Sequence, residues 1–588
     1  MTTAPPSESS EARSVVADAA ARREYRLLKW GTLVALALAC AVPLALNLVD
    51  PDLWGHLLYG QELLAEQQLP RTATHTFTAV GHPWINHESL AELALALGYR
   101  HLGTYGLLVA KCLLGMSILG AMVWIAARRG VHPFLAWALM LLVAANLQAF
   151  FPLRPQLLSF ALCAMVLVLL DRAFAGWQTQ RKVHWGLLWL APPLFAVWVN
   201  SHGGFVAGLC IVGAYLAGRM LELLVSGGRS AWPTMLKIAA VGLACLAATL
   251  INPYGLEMHR WLIASLGSPR PEITEWAAPK LSDPIFAPLV ALLAVAAASW
   301  LGTQKRRDWV QIAIVALVAW QACLHLRHIA FLALLCGFWL PEHLQSALAR
   351  LRPAKSGATG LPTIMLAPWL RRSAVLALSV GIGLQSLALA GRLTDLPVYR
   401  SAFPVDAVQF MVDHHLNGKL VACFNWSQYA VAALQPEVQV GFDGRFRTCY
   451  PQQVVDMHFD FLLGEFGGKR FRSLDSGPLD GTRVLDYCQP DLVLVERRYK
   501  TPVGIMRAAS TGENRRWVLL FRDRIAELWG RRDRYDDPAS PHYFPVASRL
   551  QDPRPRDGAV QWPAMPLRED GSQFAWQQAP PAAIATDL

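Results

Sequence analysis

The chain has 588 residues, of which 54% are hydrophobic and only 16% charged, with a mean hydropathy of +0.31. That is far less charge than a soluble domain carries, and it indicates a polytopic membrane protein. The formal charge of +11 does not point to nucleic acid, because the basic residues sit at the ends of apolar runs and not on one soluble face.

Residues 1–28 are polar and lack the apolar core and small-residue site of a cleavable signal, so they read as a cytoplasmic N-terminal tail. From there, runs long enough to cross a bilayer, about 17–25 residues each, recur over residues 29–391. They lie near 30–48, 105–126, 133–151, 156–171, 185–200, 204–224, 234–251, 284–302, 309–326, 329–346 and 373–391. This predicts about eleven transmembrane helices. Basic residues set their direction. Arg22, Arg23, Arg26 and Lys29 hold the N-terminus inside. Alternation then makes every inside connection basic, from Arg128 and Arg129 through Arg219, Arg229 and Lys305–Arg307 to Arg352 and Lys355. The C-terminal part is expected outside.

The outside connections carry a different chemistry. The first, residues 49–104, opens with "VDPDLWGHLLYG" and closes with "HESLAELALALGYRHLG", whose spacing predicts an amphipathic helix in the membrane interface. Other outside segments hold Arg154, Asn200, His202, Asn252, Tyr254, Glu257, His259, Arg260, Glu272, Glu275, Trp276, Arg327 and His328. Ionisable groups at span mouths are functional candidates, and these all fall on one face.

Beyond about residue 392 the composition turns soluble. "KLVACF" (419–424), "VQVGF" (438–442), "DLVLVE" (491–496) and "RWVLLFRD" (516–523) predict buried strands. Segments 404–416 and 451–464 read as helices, giving an α/β domain over 392–532. Residues 533–588 predict an extended tail. "GFDGRFRTCY" (441–450) follows a strand, so Asp443, Arg445 and Arg447 are either a turn with a structural ion pair or a contact to phosphate or acceptor. Of the ten cysteines, Cys423, Cys449 and Cys488 fall in this domain, and two of them are a candidate disulfide with unreadable pairing.

The order "DPDLWGH", "PRTATHTFTAVGHPWINHESLAE", "VNSHGG", "NPYG", "TEW" and "FDGR" resembles the GT-C superfamily of polyprenyl-phosphate-dependent membrane glycosyltransferases. More narrowly it is similar to bacterial membrane proteins with "DPDLWWH", "NLHGG", "NPYG", "EW" and "DGR" segments. The resemblance implies a GT-C-like helical domain with an extracytoplasmic α/β domain in the bacterial inner membrane. It also implies transfer of sugar from a polyprenyl-phosphate donor at the periplasmic face. The alternative is a non-catalytic GT-C-like subunit whose partner is a larger membrane-protein complex.

In that superfamily an essential acid follows the first span, a position held here by Asp50 and Asp52, and Glu88 suits a second acid at the juxtamembrane helix. The oligosaccharyltransferase "WWDYG"-type signature is missing, and Asp-Pro-Asp replaces the Asp-Glu pair of protein mannosyltransferases. The acceptor class is therefore not inherited. Sugar transfer needs a base, for which Asp52 is the first candidate, with Asp50 or Glu88 assisting. It needs cations on the leaving phosphate, for which Arg154, Arg260 and Arg327 are candidates. His56, His202, Asn252, Tyr254 and His328 complete the candidate substrate contacts. Histidines on that face also make a divalent metal ion a candidate cofactor, with ligands unknown. The plainer alternatives are that Asp50 caps a helix, that Arg154 snorkels and pairs with a carboxylate, and that "NPYG" is only a turn.

Overall fold

The computed structural model describes residues 8–267, 269–351, 367–465, 470, 472–512, 515–551 and 557–568, with side chains from residue 22 onward except 227–229 and 266. Arg352, Lys355, the Arg229 side chain and the tail beyond residue 568 lie outside the described residues. Among the described residues, seven helical stretches are long and apolar enough to cross a membrane: Arg22–Leu44, Ser89–Arg128, Pro133–Phe150, Gln156–Gln180, Phe205–Ser226, Pro284–Gly302 and Pro368–Thr394. Four shorter apolar helices, Trp185–Val199, Trp232–Ala248, Trp309–Leu324 and His328–Trp339, fall on the remaining expected runs. The chain is thus a polytopic helical protein with a sheet-containing C-terminal domain.

Three local features differ from the sequence expectation. Helix α1 spans Glu8–Leu44, so much of the expected N-terminal tail is continuous with the first span. Helix α2 is Leu53–Glu66, and helix α3, Ser89–Arg128, joins the expected interfacial helix to the next span. The join is broken at Gly103, whose φ of 64° and ψ of −169° suit a residue without Cβ. The run expected over 329–346 stops at Trp339, and a second helix, Pro341–Arg350, starts on Pro341, which lacks an N–H to continue the first. Helix α4 is Pro133–Leu147 and α5 is Gln156–Ala173.

At the end of the bundle away from the domain, Arg219 is only 1% exposed and pairs with Asp308 and Glu222. Arg129 bridges Asp171 and Glu342. Buried guanidinium needs such partners, and these tie α3 and α5 to the later helices.

In the C-terminal domain, β2 (Gly418–Ala422), β3 (Val438–Val440), β4 (Leu492–Glu496) and β5 (Trp517–Arg522) lie on the expected strands. Two more, β6 (Ala526–Arg531) and β7 (Leu550–Gln551), complete a sheet of order β3-β2-β4-β6-β5-β7. β2 runs parallel to β3 and β4, and β6 is antiparallel to β4 and β5. Strand β6 was hidden because "AELWGR" carries Glu527, which is nonetheless 1% exposed. Helix Phe424–Leu434 packs on β2 and β3, and helix Val405–Asp413 on β5 and β6. The stretch expected to trail from residue 533 is packed as far as it is described: β8 (Ala559–Gln561) pairs with β1 (Pro397–Tyr399). All three domain cysteines are free, Cys423 and Cys449 buried and Cys488 exposed, so no disulfide forms among them.

The domain is fastened to the first long connection. Trp54 is fully buried among Phe403, Tyr429 and Trp562, with ring centroids at 4.9, 4.9 and 4.5 Å. Its Nε1 donates to the Pro563 carbonyl at 2.9 Å. Such aromatic pairs add about 0.5–1.5 kcal/mol each beyond burial. Val440 N–H donates to His75 O at 3.1 Å, extending the sheet edge with residues of that connection.

A candidate active site between the bundle and the domain

The fastening places α2 so that its first turn opens into a cavity of about 760 Å³. The mouths of α5, of Phe205–Gly227 and of His328–Trp339, the loop around Trp276 and the C-terminal domain all contribute walls. At its centre are Asp50, Asp52, His56, Glu88, Glu92, Arg154, His202, Glu275 and Arg327.

Asp52 sits immediately before α2 and does not cap it with its side chain. Asp50 accepts from the Asp52 N–H at 3.0 Å, a bond ahead of the helix, so its side chain does not cap α2 either. The Arg154 guanidinium reaches Glu275 at 2.7 Å, Asp52 at 3.1 Å and Asp50 at 3.5 Å. One cation shared by three acids leaves negative charge in excess here. Burial pushes the Asp52 carboxyl up to about 6, Arg154 pulls it down and Asp50 adds to the rise. Its side chain keeps 27% exposure, enough to meet a ligand in the cavity.

Behind Asp52 stands the "DGR" turn. A Cβ on Gly444 would lie 2.1 Å from Asp52 Oδ1, so the residue must be glycine for the carboxylate to rest there. Asp443 and Arg445, 0% and 7% exposed, form a buried ion pair at 2.6 Å. Arg445 also donates to the Thr74 carbonyl at 2.6 Å and lies 5.1 Å from the Tyr59 ring centroid and 4.8 Å from that of Trp84. Of the two alternatives for this turn, the structural ion pair is the one found. Gln428 accepts from Tyr59 Oη at 3.0 Å, and a Cβ on Gly55 would approach it to 2.2 Å.

On the next turn of α2, His56 Nδ1 is 3.2 Å from Glu92 Oε1 and 3.9 Å from Glu88 Oε2. Burial lowers the His56 pKa, but the Glu92 hydrogen bond and the charges of Glu88, Glu92 and Asp52 outweigh it and lift it to about 9. Burial raises Glu88, yet His87, His56, His202 and Arg154 hold it below the usual range. His202 goes the other way: burial, Arg327, His87 and Arg154 press it to about 3 against Glu88. Its Nδ1 accepts from the Gly204 N–H at 3.0 Å, which leaves Nε2–H toward Glu88, 3.7 Å away. The site thus holds a charged and a neutral imidazole on one carboxylate.

His56, Glu88 and Glu92 place one ligand atom each within 4.8 Å of one another. One imidazole nitrogen and two carboxylates suit zinc or a similar divalent ion. Asn86 donates to Glu92 Oε2 at 2.6 Å, the outer-shell support such ligands use. Glu92 was not singled out from the sequence, although its spacing four residues after Glu88 was the available signal.

Of the sequence candidates, Asp50, Asp52, His56, Glu88, Arg154, His202, Arg327 and His328 line the cavity, and Asn252, Tyr254 and Arg260 do not. Asn252 closes the "NPYG" turn, accepting from Tyr254 N–H at 2.8 Å and donating to Thr249 O at 2.8 Å. Tyr254 Oη accepts from Asn86 N–H at 3.0 Å and so supports the acids indirectly. Arg260 is exposed on the Leu256–Leu266 helix, away from the cavity, which corrects its expected phosphate role. Arg154 is saturated by carboxylates. Of the three arginines expected on phosphate, the one left is Arg327, stacked on Trp276 at 4.7 Å with no ion-pair partner among the described residues. Arg270, missed in the sequence, stacks on the same ring at 5.1 Å.

Below the acids the cavity continues between the Phe205–Gly227 and Trp309–Leu324 helices along Val206, Ala207, Ile211, Ile314, Leu317 and Val318. This is an apolar corridor entering the bundle beside Arg327.

No protein-family model matches the sequence, and no curated protein matches it. Two solved structures of ArnT from Cupriavidus metallidurans are similar in shape. The apo state shares 15% identity over 84% of this chain and 96% of that one, TM-score 0.49. The form bound to undecaprenyl phosphate shares 13% over 85% and 97%, TM-score 0.47. The archaeal oligosaccharyltransferase AglB from Archaeoglobus fulgidus, in complex with an inhibitory peptide and a dolichol-phosphate, shares 12% over 80% and 69%, TM-score 0.45. The likeness is one of overall outline, and no activity is taken from it.

Proposed function

We propose that the chain is an inverting membrane glycosyltransferase that moves a sugar from a polyprenyl-phosphate donor to an acceptor hydroxyl or amine. The observation that carries this reading is the junction in one cavity of an apolar corridor, an arginine with no ion-pair partner among the described residues, and a carboxylate that burial pushes up to about 6. The isoprenoid lies in the corridor and its phosphate on Arg327, which offers bidentate hydrogen bonds. Asp52, ionised at neutral pH, takes the acceptor proton as the acceptor atom attacks the anomeric carbon. The bond from that carbon to the phosphate oxygen breaks, and its electron pair leaves on the phosphate, whose charge Arg327 stabilises. Arg154 holds Asp50, Asp52 and Glu275 in register. A divalent ion at His56, Glu88 and Glu92 would supply further positive charge. Basic residues at the far end of the bundle, such as Arg129 and Arg219, support a cytoplasmic N-terminus and a periplasmic site in a bacterial inner membrane.

The test is release of free undecaprenyl phosphate from a panel of undecaprenyl-phosphate sugars by the purified protein in nanodiscs with a membrane extract. Arg327→Gln should raise the donor KM by about 10–100-fold, the scale of losing a charge-assisted bidentate contact. Arg260→Gln should leave it unchanged. No release with any donor, together with co-purification of another membrane complex, would favour the non-catalytic subunit.

A further inference from the structure

The cavity has further walls away from that corridor. On the domain side it is walled by Phe446, Phe459, Leu462 and Leu463, and across from them by Trp261 and Leu262 of the Leu256–Leu266 helix. Those walls offer rings and methyl groups, a poor match for a glycan whose hydroxyls need hydrogen-bond partners. The helix itself exposes Leu256 (59%) and Ile263 (74%) while burying Met258. An amphipathic helix of that kind lies along the lipid–water boundary, so the limb opens where amphiphiles reside.

One cation on this limb has no ion-pair partner among the described residues. Arg270 lines it, its Nη2 donates to the carbonyl and hydroxyl oxygens of Ser265, and its buried Nε has no partner. No carboxylate among the described residues pairs with it. Burial, then the neighbouring charges of Arg447 and Arg327, press its pKa down to about 10 against the opposing charge of Glu272, which lines the same cavity. An apolar limb ending in a guanidinium with no ion-pair partner among the described residues and an unpartnered Nε is complementary to an alkyl chain carrying an anion.

We propose that this limb is the acceptor subsite and that the acceptor is an anionic amphiphile. Its alkyl chain lies against Phe459, Leu462 and Leu463, its phosphate or carboxylate on Arg270, and its nucleophilic hydroxyl before Asp52. The assignment rests on the transferase reading, since without a donor in the corridor the limb has no acceptor to hold.

The experiment is photolabelling of the full chain in nanodiscs with three diazirine-tagged probes: dodecyl phosphate, dodecanol and undecaprenyl phosphate. Dodecyl phosphate is expected to label residues 459–463 saturably, and dodecanol is not. Arg270→Gln should cut that labelling by about tenfold at subsaturating probe, whereas Arg270→Lys retains most of it and Arg260→Gln leaves it unchanged. Undecaprenyl phosphate should label 206–211 and 314–318 instead. Dodecyl phosphate found only in the corridor, or dodecanol labelling 459–463 equally well, would overturn the proposal. So would an absence of saturable labelling at 459–463, which points to a glycan or peptide acceptor. If undecaprenyl phosphate fails to label the corridor, the donor reading falls on its own evidence, whatever happens at 459–463.

Discussion

Removing the Arg154 charge should move the pH profile of turnover before it destroys the site. The guanidinium lies 3.1 Å from Asp52 and 3.5 Å from Asp50, and it is the largest influence holding the Asp52 pKa down against burial. An opposite charge this close lowers a carboxyl by about 1–3 units. With Asp52 titrating at about 6 in the native chain, roughly nine-tenths of it is ionised at pH 7. In Arg154→Gln the apparent value should rise by about 1–3 units, leaving between about half and one hundredth of the base ionised at pH 7. Turnover at pH 7 therefore falls by about 2–100-fold, and much of it returns by about pH 9. The sign is fixed: a base is active when deprotonated, so raising its pKa moves the rising limb of the profile to higher pH. Arg154→Lys keeps the charge and should keep the limb near its original position. The assay is kcat/KM for donor turnover from about pH 5 to 9.5. An unshifted limb in Arg154→Gln would refute Asp52 as the titrating base or Arg154 as its partner.

Gly444→Ala should lower turnover by about tenfold or more with little change in thermal midpoint, because its methyl group would meet Asp52 Oδ1 at 2.1 Å; unchanged activity contradicts the close approach. Arg445→Met leaves Asp443 buried without its cation and should destabilise the chain by about 3–5 kcal/mol, read by chemical denaturation, with a loss under about 1 kcal/mol contradicting the clamp. Adding Zn²⁺ or Mn²⁺ to chelator-treated protein should raise the thermal midpoint by a few degrees, as binding to the native state alone requires, and Glu92→Gln should abolish the rise; equal responses in both forms place the ion elsewhere.

Much of the helical layer was readable because about twenty apolar residues in a row have few alternatives to a span. The joins were less so. Gly103 and Pro341 act through backbone geometry, and only the helices on either side show whether a glycine or proline ends or merely bends them. In the site, Asp52, Glu88 and Arg154 could be named as acids and a cation at one face. Their pairing could not, because Arg154 lies about a hundred residues from Asp52 and from Glu275. That is why Arg154 stood open between a phosphate and a carboxylate partner, and it is the carboxylate alternative that is found. Arg260 and Arg270 are both arginines of one connection, and only the fold tells the exposed one from the one facing the cavity. Four domain strands followed their apolar runs, whereas β1, β7 and β8 are too short to show a pattern and β6 hid behind Glu527, which is buried with arginines around it. The contribution of Gly444 and Gln428 to the site depends on how the domain docks, which no local pattern encodes.

The most direct measurement is donor turnover by Asp52→Asn, nearly isosteric and unable to accept the proton. Purified wild type and variant would be incubated with undecaprenyl-phosphate sugars and a membrane extract, following free undecaprenyl phosphate. The account predicts turnover in the wild type and a loss of about a hundredfold or more in the variant, the scale of removing a general base. Equal turnover in both would contradict it and take Asp52 out of the chemistry.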